Sequence, residues 1–135
     1  MSFFRSGVAL LVGLMWFGTA LSAPLHGSEW TPLLIGETAI PQASSIFVQF
    51  RGEGRLQGYG GCNRLFAEYM ENDGCISIGT VAGTRMACDE LVMQREAALI
   101  GALEKTRSYR RMRTRLMLFD EDRVPLMELR QTDWD

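Results

Sequence analysis

Histidine and lysine are almost missing from this chain, which has one of each, His26 and Lys105. A catalytic Ser-His or Cys-His pair needs an imidazole beside its nucleophile. His26 lies in a short polar stretch near the start, so such a pair built into the core is excluded. Cysteine is also scarce: Cys62, Cys75 and Cys88 are widely spaced, and no CxxC pair occurs. Zinc sites need clustered Cys or His ligands, so neither a metal nor a cofactor is expected. A basic excess is missing too. Fourteen Lys and Arg stand against 16 Asp and Glu, a formal charge of −2, which does not recommend nucleic acid as a partner. No internal repeat or low-complexity tract breaks the chain.

The 135 residues suffice for one domain, and 47% hydrophobic with 22% charged residues is ordinary globular composition. Residues 1–23 read as a secretory signal peptide. Arg5 supplies the positive start, Gly7 to Phe17 a short apolar core, and Ala20, Ser22 and Ala23 a small-residue cleavage site near 22/23. A spanning helix needs about 20 apolar residues; this run is shorter, although an uncleaved anchor is the alternative. No cysteine follows the apolar core, so no lipid anchor is expected. Removing residues 1–22 takes away one basic residue, leaving 13 against 16 acidic ones. An exported, mildly acidic domain is expected, in which three cysteines invite a disulfide and leave one thiol over.

Residues 24–29 read as a polar lead-in and 30–131 as a single domain. Trp30 to Ile35 forms a first strand. Ile46, Val48 and Phe50 alternate with Phe47, Gln49 and Arg51 as a half-buried strand does. Gly52-Glu53-Gly54 turns that strand into Arg55–Tyr59. Leu65 to Glu71 and Cys75 to Gly79 flank Asn72-Asp73-Gly74, a type I′ hairpin signal; Ile76 and Ile78 face inward, Cys75 and Ser77 outward. A helix follows from Asp89 to Lys105, with acidic residues in its first turn and a lysine in its last. The strands Ser108–Arg113, Arg115–Phe119 and Val124–Arg130 complete the chain, Pro125 marking an edge or irregular position. The fold class is α+β: a strongly curved antiparallel sheet or partly open β-barrel of about eight short strands with one α-helix.

Glu96 is the sharpest local anomaly. It falls in the middle of a helical arc made by Val92, Leu99 and Leu103 and flanked by Met93 and Ile100. A buried carboxylate without partners costs several kcal/mol, so Arg64, Arg85 and Thr84 are candidate partners in a polar clamp tying helix to sheet. A general acid or ligand anchor at Glu96 is the alternative. Cys88 lies just before a helix N-terminus, where a thiol becomes reactive. Against that stands a structural disulfide with Cys62, the reading adopted, which leaves Cys75 as the free thiol. Asp120, Glu121 and Asp122 lack the calcium-loop pattern and read as a solvated turn. Arg107, Arg110, Arg111, Arg113 and Arg115 read as a solvated strand face or as a surface for an anionic partner.

With these residues in view, the chain resembles the META domain family, the HslJ-like heat-shock proteins. The resemblance rests on Trp30, Leu33 and Gly36, then Gly61-Cys62-Asn63-Arg64 and Tyr69. It continues through Ile76 and Ile78, Thr84-Arg85-Met86-Ala87-Cys88, Glu96, Leu103, and Tyr109 with Leu116-Met117-Leu118. It covers about residues 28 to 131. It implies a small α+β barrel in bacterial envelope proteins, associated with heat-shock and antibiotic stress and without established catalytic residues. The expected function is non-enzymatic binding of an envelope protein or lipid by a periplasmic or envelope-associated domain. A carrier of a hydrophobic ligand, with Met70, Met86 and Met112 lining the barrel mouth, is the alternative; an enzyme centred on Glu96 or Cys88 is the third reading.

Overall fold

Alternating apolar residues along most of the chain build one continuous antiparallel sheet. The structure is a computed structural model and describes residues 24–132 together with Gly13; the expected signal peptide lies otherwise outside the described residues. The strands are β1 (Ser28–Ile35), β2 (Thr38–Ala39), β3 (Phe47–Arg51), β4 (Arg55–Tyr59), β5 (Arg64–Asn72), β6 (Cys75–Ile78) and β7 (Ala82–Gly83). After the single helix α1 (Glu90–Lys105) come β8 (Ser108–Met112), β9 (Arg115–Phe119) and β10 (Pro125–Gln131).

The order β1-β3-β4-β5-β6-β8-β9-β10 closes on itself because β10 pairs with β1, from Trp30 opposite Gln131 to Ile35 opposite Met127. The result is an eight-stranded barrel, with β2 added to β1 and β7 added to β5. Closure removes the sheet's free edges. The thinnest seam is β6–β8, where Cys75 opposite Ser108 is the only register pair. Two backbone bonds flank it, Ile76 N–H to Arg107 O at 3.0 Å and Tyr109 N–H to Gly74 O at 2.9 Å. Pro125 opens β10 beside a register shift, the irregular position expected. The edge alternative is corrected, because β10 is paired on both sides.

Inward side chains fill the barrel. Trp30, Val48, Leu56, Leu65, Leu116 and Leu129 are essentially inaccessible to solvent, and Phe50 meets Tyr69 edge-on, 5.2 Å between ring centroids. The hairpin between β5 and β6 turns through Asp73 (φ 44°) and Gly74 (φ 83°), the pair of positive dihedrals that a type I′ turn requires.

Each end of the barrel is stopped. At the end holding the β4–β5 corner, α1 presents Glu96, Leu99, Ala102 and Leu103 to the interior. Asp89 caps its N-terminus by accepting the Val92 N–H at 3.0 Å. The apolar arc is shifted from the one expected: Val92 is half-buried and Met93 exposed, and the buried face begins at Glu96. At the opposite end, Leu25 is fully buried in the core. The expectation of a polar lead-in over 24–29 is therefore corrected. A single leucine among polar residues supplies the stopper, and the Glu71 carboxylate holds its N–H at 3.2 Å through both oxygens.

Candidate functional site

The chain leaves β4 at Tyr59 and enters β5 at Arg64 through a corner, Gly60-Gly61-Cys62-Asn63, on which the helix is seated. Glycine is required twice here for different reasons. A Cβ on Gly60 would sit 2.4 Å from Glu96 Cγ, inside contact distance, and Gly61 adopts φ +105°, a region left to glycine. Gly60 N–H closes the corner on Asn63 O at 3.0 Å.

Glu96, only 5% exposed, reaches into this corner. Its Oε2 accepts the backbone N–H of Cys62 at 3.1 Å and of Asn63 at 2.7 Å. Its Oε1 accepts from Asn63 Nδ2 at 2.7 Å. All three partners are donors, which suits an acceptor-only carboxylate. Asn63 is the hub. Its Oδ1 accepts the Thr84 hydroxyl at 2.9 Å and the Met86 N–H at 2.7 Å, while Nδ2 also donates to Met86 O at 3.3 Å. Thr84 Oγ1 in turn accepts the Arg64 N–H at 3.1 Å. One carboxylate and one amide thus join helix, corner and the 84–88 loop. The disulfide Cys62–Cys88 bridges two of these parts, the corner and the loop, with Cα atoms 6.0 Å apart.

The buried clamp is present, but its partners are corrected. Arg64 and Arg85 are exposed, and the only ion pair among the described residues joins Arg115 to Glu128. Arg64 falls on the outward register of β5, opposite in phase to buried Leu65, and so cannot turn toward Glu96. Thr84 takes part through Asn63 rather than by touching the carboxylate. The signal that would have identified Asn63 is that same alternation: counting back from Leu65 puts position 63 inward, a polar residue on a core register.

Cys75 is free and exposed. Met70, Met86 and Met112 are exposed at 77%, 62% and 55%. They sit on the outer face of β5, in the 84–88 loop and at the far tip of β8, so they do not line one mouth, and that expectation is corrected. Asp120 spends its Oδ1 on the N–H groups of Asp122 and Val124, both at 2.9 Å, which makes 120–124 a self-capped turn. A cleft of about 240 Å³ lies beside the corner, between Ser44–Ile46, Tyr59–Gly61, Val92 and Arg95.

Sequence reasoning missed a second polar cluster, at the Leu25 end. Glu71 accepts the Tyr109 hydroxyl as well as the Leu25 N–H. Burial, the bond to Glu71 and its charge together push the Tyr109 phenol above its ordinary pKa. Arg111 lies 5.1 Å over the Trp30 ring and donates to Pro24 O at 3.0 Å.

The model of the META domain matches residues 23–133. The fold is shared with a protein from Burkholderia xenovorans solved by NMR (TM-score 0.66, 25% identity, 82% of this chain and 85% of that one). It is also shared with a crystal structure of a DUF4847 family protein from Bacteroides vulgatus (TM-score 0.59, 12% identity, covering 82% and 96%). A further NMR structure aligns with TM-score 0.63 at 15% identity, over 78% of this chain and 90% of that one. No curated protein matches the chain.

Proposed function

The chain belongs to the META domain family, and from that premise we propose that it is an exported, non-enzymatic envelope domain that supports heat or antibiotic tolerance by binding an envelope protein or lipid. The observation that carries this reading is where its reactive groups are spent. The Glu96 carboxylate is occupied by three donors from the corner it braces, and Cys88 is closed into a disulfide. A general acid needs a proton to give to substrate, and a base or nucleophile a free lone pair facing it; here both groups serve the fold. The disulfide also suits an oxidising compartment. What the surface offers instead is exposed apolar and basic side chains, the material of docking.

The test is fractionation and in-cell crosslinking of the full chain in a bacterium under heat or antibiotic stress. The expected result is recovery from the envelope fraction, shortened near residue 22 or 23 and crosslinked to protein or lipid. Recovery from the cytoplasm, or an envelope pool that crosslinks to neither, overturns the reading.

A further inference from the structure

The arginines of β8–β10 are not spread evenly over the barrel. At the tip of the β8–β9 hairpin, Met112 stands opposite Arg115 and Arg115 opposite Arg130, giving a row across three strands on the outer face. Arg113 forms the turn itself, and Arg110 projects one step behind the row. Arg110, Arg113 and Arg130 are exposed, and among the described residues none of them has an ion-pair partner; Arg115 alone is paired, with Glu128 at 3.1 Å. Apart from Glu128, the acidic residues between β8 and the end of β10 lie in the Asp120-Glu121-Asp122 turn, at the other end of the hairpins. Within the row the carboxylate is Glu128, which Arg115 occupies; Glu71 at the same end is spent on the Leu25 N–H and the Tyr109 hydroxyl, and in the sequence Asp133 and Asp135 follow β10.

Two further observations single out this rim. Arg113 takes φ 55°, a conformation glycine would adopt at lower cost, so turn geometry does not select an arginine here. The chain also enters the domain at this place, because Arg111 Nη1 donates to Pro24 O. In the sequence, the apolar run Gly7–Phe17 precedes Pro24 with only residues 18–23 between, a tether of about 20 Å when extended. Before the cleavage expected near residue 22 or 23, that run in a bilayer holds this end of the barrel, and with it the basic rim, within about 20 Å of the headgroups.

We propose that the rim formed by Arg110, Met112, Arg113 and Arg130 is a docking surface for an anionic lipid bilayer, the arginines meeting headgroup charge and Met112 entering the interface. This rests on the envelope reading above and names its partner. The net charge of −2 does not oppose it, since interactions beyond about 10 Å are screened at ordinary ionic strength and the local rim decides.

The test uses protein recovered from the envelope of an expressing bacterium, in its native processing state, on vesicles of phosphatidylcholine alone or mixed with phosphatidylglycerol. A polarity-sensitive dye is placed at the tip by M112C in a C75S background, so that the rim is read even when the leader anchors the chain. The emission is expected to shift blue on anionic vesicles only and to revert in high salt. The triple variant R110Q/R113Q/R130Q leaves the Arg115–Glu128 pair and the core untouched. At about fivefold per arginine near such a surface, it is expected to weaken anionic partition about a hundredfold with an unchanged circular dichroism spectrum. A dye response that is absent, or equal on neutral vesicles, or unchanged in the triple variant overturns the proposal. If the crosslinking test above still finds the chain on an envelope protein, the lipid rim alone has failed and the wider reading stands.

Discussion

Replacing Glu96 by glutamine isolates the physics of the corner, because it keeps shape and removes one acceptor. The Gln oxygen can take the Oε2 position and keep the Cys62 and Asn63 amides. The new NH2 group then meets Asn63 Nδ2, which now lies 2.7 Å from Oε1, donor against donor. Asn63 cannot flip in response, since its Oδ1 is committed to Thr84 and Met86. Losing charge assistance in two bonds costs about 2 kcal/mol, and a buried unpaired donor adds about 1.5 kcal/mol. The sum, about 3.5 kcal/mol, is a large part of an ordinary domain's stability and corresponds to a fall in Tm of about 15 °C for a domain of this size. Urea unfolding followed by circular dichroism reads it directly. The partner variant Asn63→Asp sets carboxylate against carboxylate and should cost a similar amount. In the double variant E96Q/N63D the Gln amide donates to the new carboxylate, so the pair is expected to be about 2 kcal/mol more stable than the sum of singles. If Glu96→Gln unfolds within 0.5 kcal/mol of wild type, or the two changes simply add, the donor-only account of this corner is wrong.

The disulfide closes a separation of 26 residues and should contribute about 3.5 kcal/mol in the chain-entropy picture; C62S/C88S and reductant should lower the urea midpoint alike, and unreduced protein should titrate one thiol, Cys75. Gly60→Ala drives a Cβ to 2.4 Å from Glu96 Cγ and should cost about 2–3 kcal/mol, most of it disappearing in a Glu96→Ala background; equal costs in both backgrounds would show that the contact is relieved elsewhere. Tyr109 holds its proton more tightly folded than unfolded, through burial and Glu71. Its contribution is therefore complete below the ordinary tyrosine pKa of 10.0 and lost as pH rises beyond it. Unfolding midpoints should fall in alkali, and Tyr109→Phe should flatten that fall; an unaltered alkaline slope would remove Tyr109 as its source.

Local pattern carried much of this fold, and long-range pairing carried the remainder. The hairpins around Gly52–Gly54 and Asp73–Gly74 and the helix from Asp89 were legible because turn chemistry, alternation and capping act within a few residues. The clamp was legible only as a demand, a carboxylate on the apolar arc of α1 that had to be satisfied. Its donors were not, because backbone N–H groups carry no letter in the sequence, and the arginines were the visible candidates. Leu25 was hidden for a related reason: one apolar residue among polar neighbours has no periodicity, and its place is fixed by the distant Glu71 carboxylate together with the Ser28 N–H on its carbonyl. β2 and β7 are two residues each, too short for any alternation to show. Closure into a barrel, rather than an open curve, depends on β1 meeting β10 at nearly the full length of the domain.

That last pairing has a bearing on how the molecule comes into being. A chain threaded across a membrane amino end first would deliver β1 early and leave it without one neighbour until the tail arrived. The wall cannot be sealed in stages; folding must wait for the final strand, and the slow step is the search that brings the two extremes together. Trimming the carboxyl end back past Leu129 would reopen two seams at once and strip the partner from each flank.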